Sequence, residues 1–478
     1  MSCAVSERAR AMNRLIAQAI FSASLLAGCA VGPNYHRPSL ETPSAFSEPR
    51  PWKAAEPKDT LPKSDWWAIF NDSTLDQLER KAQAANPNLQ AALAHYDAAL
   101  AIAGVSRAAL FPSASVNANA SREHYSGNRQ TPNNATRFAY TTNSFEIPLQ
   151  LSYELDVFGK ARRALESARD AAESQGAVYQ NVLLSLQAGV AQNYYNLRSL
   201  KAQQAIFAQN IALLKDALEL VEKLRAGGVN SDVDYYQAQA QLETVRSAAL
   251  TVDQNILDQL HALAVLTGQN PEGFSINIDI RLPDPPIIPV GLPSDLLERR
   301  PDIAAQERTV ASLNAQIGVA KAAFFPSIQL NGFAGFNSAD VSKLFESASR
   351  EWGFGPTVDV PIFRGGLLTA NYRVAKANYE AGVANYRAQV LTAFEEVENG
   401  LSDLHVLDEQ NIVLKRAVDT SQHLYDLSSS RYQNGLVSYL EVIDAQRTLL
   451  QNRLSLTQNE TQRLAATIIL IKAVGGGW

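Results

Sequence analysis

No proline interrupts the chain between Pro148 and Pro271, or anywhere after Pro361. In a sequence of 478 residues with 21 prolines, this leaves two stretches of roughly 120 residues without the strongest helix breaker. Both are rich in Ala, Gln, Leu, Arg and Glu, which favour helix. Residues 159–224 and 365–432 each read as one helix, about 100 Å long at 1.5 Å per residue. Helices in compact domains average about three turns, so helices of this length belong to an elongated object. Seven of the prolines fall instead in residues 33–62, an extended, poorly helical leader.

The C-terminal stretch carries a seam in alternating four- and three-residue steps: Leu436, Leu440, Ile443, Arg447, Leu450, Leu454, Thr457, Thr461, Leu464, Ile468 and Ile471. A second seam runs beside it through Val442, Ala445, Leu449, Leu456, Ala466 and Leu470. One seam suits a two-stranded coiled coil. Two adjacent seams suit a helix flanked on both sides, in a bundle or a ring.

The chain is also an internal repeat. "NPNLQAALAHYDAALAIAGVSRAALFPS" (86–113) aligns without gaps to "RPDIAAQERTVASLNAQIGVAKAAFFPS" (300–327). Further on, "GVNSDVDYYQAQ" (228–239) matches "GLVSYLEVIDAQ" (435–446). Each half reads as a medium helix, a strand pair, a very long helix, a glycine-containing turn and another helix.

Strict alternation marks the strand pairs. In "SFEIPLQLSYELDV", Phe145, Ile147, Leu149, Leu151, Tyr153, Leu155 and Val157 alternate with mostly polar residues, and "SASVNANAS" (113–121) alternates likewise. The second half repeats the pattern around Ile328, Leu330, Gly332 and Ala334, then Trp352, Phe354, Val358, Val360 and Ile362. Such strands have one apolar and one polar face, which suits either a transmembrane barrel or a soluble hairpin packed on a core. Four strands cannot enclose a watery lumen, since even eight leave an interior that side chains fill. A barrel would therefore have to pool strands from several copies.

The N-terminus has the layout of an export signal: Arg8, Arg10 and Arg14, an apolar run over 15–26, then Ala27, Gly28 and Cys29, one of two cysteines in the chain with Cys3. The run is too short for a spanning helix, and "MNRLIAQAIFSASLLAGC" is a complete signal if Met12 is the start. Leu26-Ala27-Gly28-Cys29 resembles a bacterial lipobox, with Cys29 as the lipidated N-terminus after cleavage. Losing residues 1–28 removes three arginines and one carboxylate, which takes the formal net charge from −6 to −8. That balance argues against nucleic acid as a partner. No later apolar run is long enough for a transmembrane helix, so any crossing must be made by strands of a closed barrel.

These residues together resemble a TolC-like outer-membrane factor, in the lipoprotein (NodT/OprM-type) branch that serves resistance-nodulation-division tripartite efflux systems. The resemblance is carried by "CAVGPNYHRP", "WWAIFNDSTLDQLERKAQAANPNL", "YELDVFGKAR", "GLPSDLLERRPDI", "FFPSIQL" and "RYQNGLVSYLEVIDAQ", in that order. It implies a mainly α chain with a transmembrane β-barrel portion: a homotrimer in which four strands per chain build a twelve-stranded barrel, continued by a periplasmic α-helical barrel with an equatorial domain. The organisation expected is a signal peptide (1–28), an extended leader (29–65), and a first repeat (66–270) with strands near 113–121 and 144–157. A linker or equatorial segment (271–299) then leads to a second repeat (300–478) with strands near 327–336 and 351–362.

The same resemblance implies a passive duct for small molecules in the outer membrane of a Gram-negative bacterium. It would be lipid-anchored at Cys29, without other cofactor, extending into the periplasm and opened by a periplasmic adaptor and an inner-membrane pump. Its periplasmic aperture maps onto Asp234, Glu441, Asp444 and Tyr432, with Val437 standing where some relatives carry an arginine. The docking tips map onto Gly227, Gly228, Asn434 and Gly435. Periodicity alone reads Glu441 and Asp444 as a solvated helix face.

Enzyme chemistry finds little support. The six histidines include no pair three to five residues apart, there is no phosphate-cradling loop, and Glu395, Glu396 and Glu398 read as a solvated helix face. Two alternatives to the efflux duct are a type I secretion channel and a soluble periplasmic coiled-coil scaffold. With two methionines in the chain, nothing points to a metal route.

Overall fold

The computed structural model describes residues 30–39, 46, 65–128, 139–229, 231–288 and 299–476. The signal segment, Cys29, most of the leader and residues 291–298 of the "GLPSDLLERRPDI" motif lie outside the described residues. In chain order the elements are α1 (Ser73–Ala85), α2 (Pro87–Ala108), β1 (Ser113–Val116), β2 (Asn119–Tyr125), β3 (Tyr140–Leu155), α3 (Lys160–Ala226) and α4 (Asp232–Leu266). There follow α5 (Pro301–Ala322), β4 (Ser327–Ser338), β5 (Arg350–Asp359), α6 (Leu367–Gln433) and α7 (Tyr439–Ala473). The two proline-free stretches each carry an uninterrupted helix of 67 residues, α3 and α6.

The chain divides into two units. The first takes residues up to 38, 97–174 and 307–385, and holds the whole sheet. Its order is β1 and β2 together, then β3, β4 and β5, with antiparallel pairing throughout. β1 and β2 pair with β3 in one continuous register, so they are a single strand broken at Asn117 and Ala118. The cause is Pro148, which would face Asn117 in that register and has no amide hydrogen to donate; only a long bond from the Asn117 amide to the Pro148 carbonyl remains, at 3.4 Å. On its other side Pro148 pairs with Gly335, where a Cβ would stand 2.4 Å from the Ile147 carbonyl oxygen.

The register sorts the side chains cleanly. Ile147, Leu149, Leu151, Leu330, Trp352, Phe354 and Val358 share one face; Glu146, Gln150, Ser152, Asn331, Glu351 and Thr357 share the other. The apolar face is bare: Trp352 is 80% exposed and Phe354 75%, and no residue of the sheet belongs to a buried hydrophobic cluster. β5 ends at Asp359, short of the expected 362, because Pro361 lies just beyond.

Below the strands of this unit the N-terminal segment is tied down. The Val31 amide donates to the Phe158 carbonyl at 3.0 Å, Arg163 donates to Asn34 at 2.7 Å, and the Tyr35 hydroxyl donates to Glu307 at 2.6 Å.

The second unit takes residues 39–96, 175–306 and 386–478 and contains the hydrophobic core. Trp66, Trp67, Phe70 and Leu75 pack there with Tyr194, Tyr195, Leu197, Leu263, Leu464 and Ile468. Asp72 caps α1, accepting from the amides of Thr74 and Leu75, and also accepts from the Tyr194 hydroxyl at 2.9 Å. Arg300 is buried, with Asp302 and Glu396 each 2.6 Å away and the Ala473 carbonyl at 3.0 Å. Glu396, expected on a solvated face, is therefore an ion-pair partner. Residues 271–288 contain no helix or strand.

Along α7 the second seam is largely buried, through Val442, Ala445, Leu449, Ala466 and Leu470. The first seam departs from expectation at its start, where Leu436 and Leu440 are exposed. They sit at a hairpin tip rather than between helices.

Candidate functional site

Two helix hairpins of the second unit carry the residues singled out by the sequence. The turn between α3 and α4 closes with a double bond pattern, Gly228 amide to Arg225 carbonyl at 2.9 Å and Val229 amide to Leu224 carbonyl at 2.9 Å. The turn between α6 and α7 repeats it, Gly435 to Tyr432 at 2.8 Å and Leu436 to Arg431 at 2.9 Å. Both turns need a left-handed residue at the closing position, and Gly228 (φ +74°) and Gly435 (φ +72°) supply it. Gly227 bonds back to Lys223 at 3.1 Å, and the Asn434 side chain donates to the Ser430 carbonyl at 2.7 Å.

The hairpin ends share a small core of Val221, Ala238, Tyr439, Val442 and Ile443, with Tyr235, Tyr425 and Tyr432 packed against it. The Arg447 Nε donates to Gln241 at 2.6 Å, joining α7 to α4. Tyr439 is buried with its hydroxyl unpartnered, and burial pushes its phenol up to about 12.

The four aperture residues separate into three situations. Glu441 and Asp444 are exposed, three residues apart on α7, on the side opposite buried Val442, Ile443, Ala445 and Gln446. Asp234 is half-buried and turned back on its own helix start: Ser231 donates from its amide (3.1 Å) and hydroxyl (2.9 Å), and its hydroxyl accepts from the Asp234 amide at 3.3 Å. That is a capping box, which ties the Asp234 carboxylate to the start of its own helix. Tyr432 is half-buried against Tyr439, with ring centroids 5.2 Å apart.

Sequence reasoning missed a second set of residues. Arg225 pairs with Asp232 at 2.6 Å and lies over the Tyr235 ring at 4.7 Å, and Tyr235 meets Tyr236 edge-on at 5.3 Å. Extending the repeat alignment three residues upstream of Gly228 aligns Arg225 with Tyr432, and the same alignment sets Asp232 opposite Tyr439. Among the described residues no group of three or more His, Cys, Asp or Glu side chains could hold a metal ion, and no helix is long and apolar enough to cross a membrane.

Solved structures with this fold are outer-membrane channels. The channel OprN superposes with a TM-score of 0.85 at 32% identity, covering 94% of this chain and all of that one. The Campylobacter jejuni channel CmeC (0.84, 26%, covering 94% and 95%) and the open state of the Neisseria gonorrhoeae channel MtrE (0.79, 27%, covering 94% and 98%) are similar too. In sequence, the chain is 30% identical over 470 residues to the probable efflux pump outer membrane protein TtgC of Pseudomonas putida, covering 98% of this chain and 96% of that one. Over 466 residues it is 31% identical to outer membrane protein OprJ of Pseudomonas aeruginosa, covering 96% and 95%. The family profile "Outer membrane efflux protein" matches residues 78–269 and 292–476. The chain belongs to the outer membrane efflux protein family. It is an efflux component of the outer membrane, and the secretion-channel and scaffold alternatives give way to that assignment.

Proposed function

We propose that three copies of this chain assemble into a passive outer-membrane duct, each giving four strand widths to one twelve-stranded barrel. The observation that carries this is the open sheet whose apolar face no core covers, with Trp352 and Phe354 exposed. Left in water, such a face and its two unpaired edges would drive aggregation. Set in lipid and joined edge to edge with two copies, both are satisfied. β4, with 12 residues, is long enough to cross a bilayer as a tilted strand.

Lipidation at Cys29 fits the same reading, because the residues just after it, Val31 and Asn34, are tied to the ends of the strand-bearing segment at Phe158 and Arg163. The duct performs no catalysis and needs no cofactor beyond that lipid. Its periplasmic end closes where Tyr432, Glu441, Asp444 and Asp234 gather around the axis, and three copies of the acids would favour cations there. The tips at Gly227, Gly228, Asn434 and Gly435 receive a periplasmic adaptor, which links the duct to an inner-membrane pump. Exposed Val229 (73%) and Leu436 (68%) occupy equivalent repeat positions there and give a docking partner apolar footholds. Opening is then an iris-like shift of the α6–α7 pair.

Extraction and mass decide the assembly. A duct stays in the membrane through carbonate washing, leaves it in detergent, and has the mass of three chains. Release by carbonate as single chains would overturn this reading.

A further inference from the structure

The polar face of the sheet is not uniformly polar. Its strand positions, read from the register, carry Glu123, Glu146, Glu154, Glu351 and Asp359 and no lysine or arginine. Glu154 and Asp359, near the strand ends, are answered by Lys160 at 3.3 Å and Arg364 at 2.9 Å. Glu146 accepts only from the Ser144 hydroxyl, at 2.7 Å, and no basic side chain pairs with Glu146 or Glu351 among the described residues. Amid these acids stands one phenylalanine, Phe333, 43% exposed.

Phe333 is held in a specific way. It pairs across to Gly353, and its ring lies over that glycine: a Cβ there would stand 2.6 Å from the ring edge. In the next row on the same face Glu351 pairs with Gly335, and Gly335 with Pro148. Glu351 is thus a diagonal neighbour of Phe333, at a spacing of about 7–8 Å that long side chains can bridge. Phe333, Glu146, Glu351, Gln150 and Asn331 line one shallow hollow of about 520 Å³; the ring covers Gly353, and Gly355, with open space above it, lines the rest. Glycines and a proline keep long side chains out of it.

An aromatic ring in one hollow with carboxylates that no base answers, beside the open Gly355, matches one ligand chemistry, a cation that carries an aromatic or alkyl group. The ring attracts the positive centre through its quadrupole, the carboxylates add long-range attraction, and the space above Gly355 admits a flat apolar group. We propose that this hollow is a binding station for organic cations inside the barrel, repeated once per chain. The proposal rests on the duct reading, in which the polar face lines the lumen.

The test is block of the current through the reconstituted protein by three probes: phenyltrimethylammonium, tetramethylammonium and benzenesulfonate. Phenyltrimethylammonium should block at lower concentration than either of the others. Phe333→Ala should weaken its block about threefold to tenfold, and Glu351→Gln should act in the same direction. Phe333→Tyr should keep the block. Gly353→Ala should weaken it without altering any charge, by pushing the ring aside. Equal block in the wild-type and Phe333→Ala proteins, or equal block by benzenesulfonate, would overturn the station and leave the duct intact. A folded protein that passes no current would instead sink the duct reading. In that case calorimetric titration of phenyltrimethylammonium into the detergent-solubilised wild-type and Phe333→Ala proteins decides the station: weaker binding in the variant upholds it, equal or absent binding removes it.

Discussion

Tyr432 and Tyr439 meet with ring centroids 5.2 Å apart and planes tilted by 50°, at the two positions where the first repeat carries the Arg225–Asp232 ion pair at 2.6 Å. The same clasp between one helix end and the next helix start is thus built from aromatic contact in one hairpin and from charge in the other. An aromatic pair adds about 0.5–1.5 kcal/mol beyond its burial. An exposed ion pair contributes ~0–1 kcal/mol and weakens with salt. The two hairpins should therefore respond to different perturbations.

Tyr432→Ala removes the aromatic clasp, and the closed form of the proposed aperture should lose about 1 kcal/mol. Conductance in planar bilayers should rise, with open events about fivefold more frequent. Tyr439→Phe keeps the ring contact and deletes only a buried, unpartnered hydroxyl, so its conductance should match wild type.

Asp232→Ala breaks the charged clasp of the first hairpin. Its effect should be clear at about 0.1 M salt and largely gone at about 1 M, where the screening length falls to ~3 Å. The Tyr432→Ala effect should persist at both. Hydrogen exchange at the tip amides of 225–236 reads the difference directly.

Glu441→Gln with Asp444→Asn should reduce cation selectivity, measured as reversal potential, and leave thermal stability unchanged because both side chains are exposed. Asp234→Ala should also lower stability, by ~1 kcal/mol, since it dismantles the capping box at the start of α4. If the melting temperatures of the two variants fell together, the division of roles would be wrong.

The sequence carried the long helices almost to the residue: 159–224 and 365–432 were expected, and Lys160–Ala226 and Leu367–Gln433 are found. Proline and composition are local signals, and these helices are long enough for them to dominate. The strand alternation was equally plain, but the break at Asn117 was not, because its cause is Pro148 on the facing strand. Ser231 and Asp234 spell a legible capping signature, and the structure forms that capping box at the residue the family resemblance maps onto the aperture. The Arg225–Tyr432 and Asp232–Tyr439 equivalence was hidden by chemistry: a charge and a ring share no pattern, so only the repeat alignment exposes them. Phe333, between Gly332 and Ala334 of the alternating set, is legible as a polar-face residue, but its pairing with Gly353 follows only from the register.

Glu79 offers a pH test in the helical unit. It is fully buried with neither carboxylate oxygen partnered, and burial, reinforced by Asp76, raises its carboxyl well above the usual range. The native state keeps a proton that the unfolded chain releases near its ordinary value, so stability falls as pH rises above that value. Glu79→Gln should raise the melting temperature at pH 7.5 and change it little at pH 4. An equal shift at both would show that ionisation is not the cause.

Gly335 probes the sheet. A side chain there meets the Ile147 carbonyl and Pro148, so Gly335→Val should cost ~1–3 kcal/mol through displaced β3–β4 pairing. A lower melting temperature for the detergent-solubilised variant than for the wild type checks it.

Single-channel recording in planar bilayers tests the duct and its gate together. Wild-type protein should give small, cation-selective steps. Combining Asp234→Ala, Glu441→Ala and Asp444→Ala should enlarge those steps and abolish their selectivity. Well-folded oligomers that pass no current in either form would contradict the account at its centre.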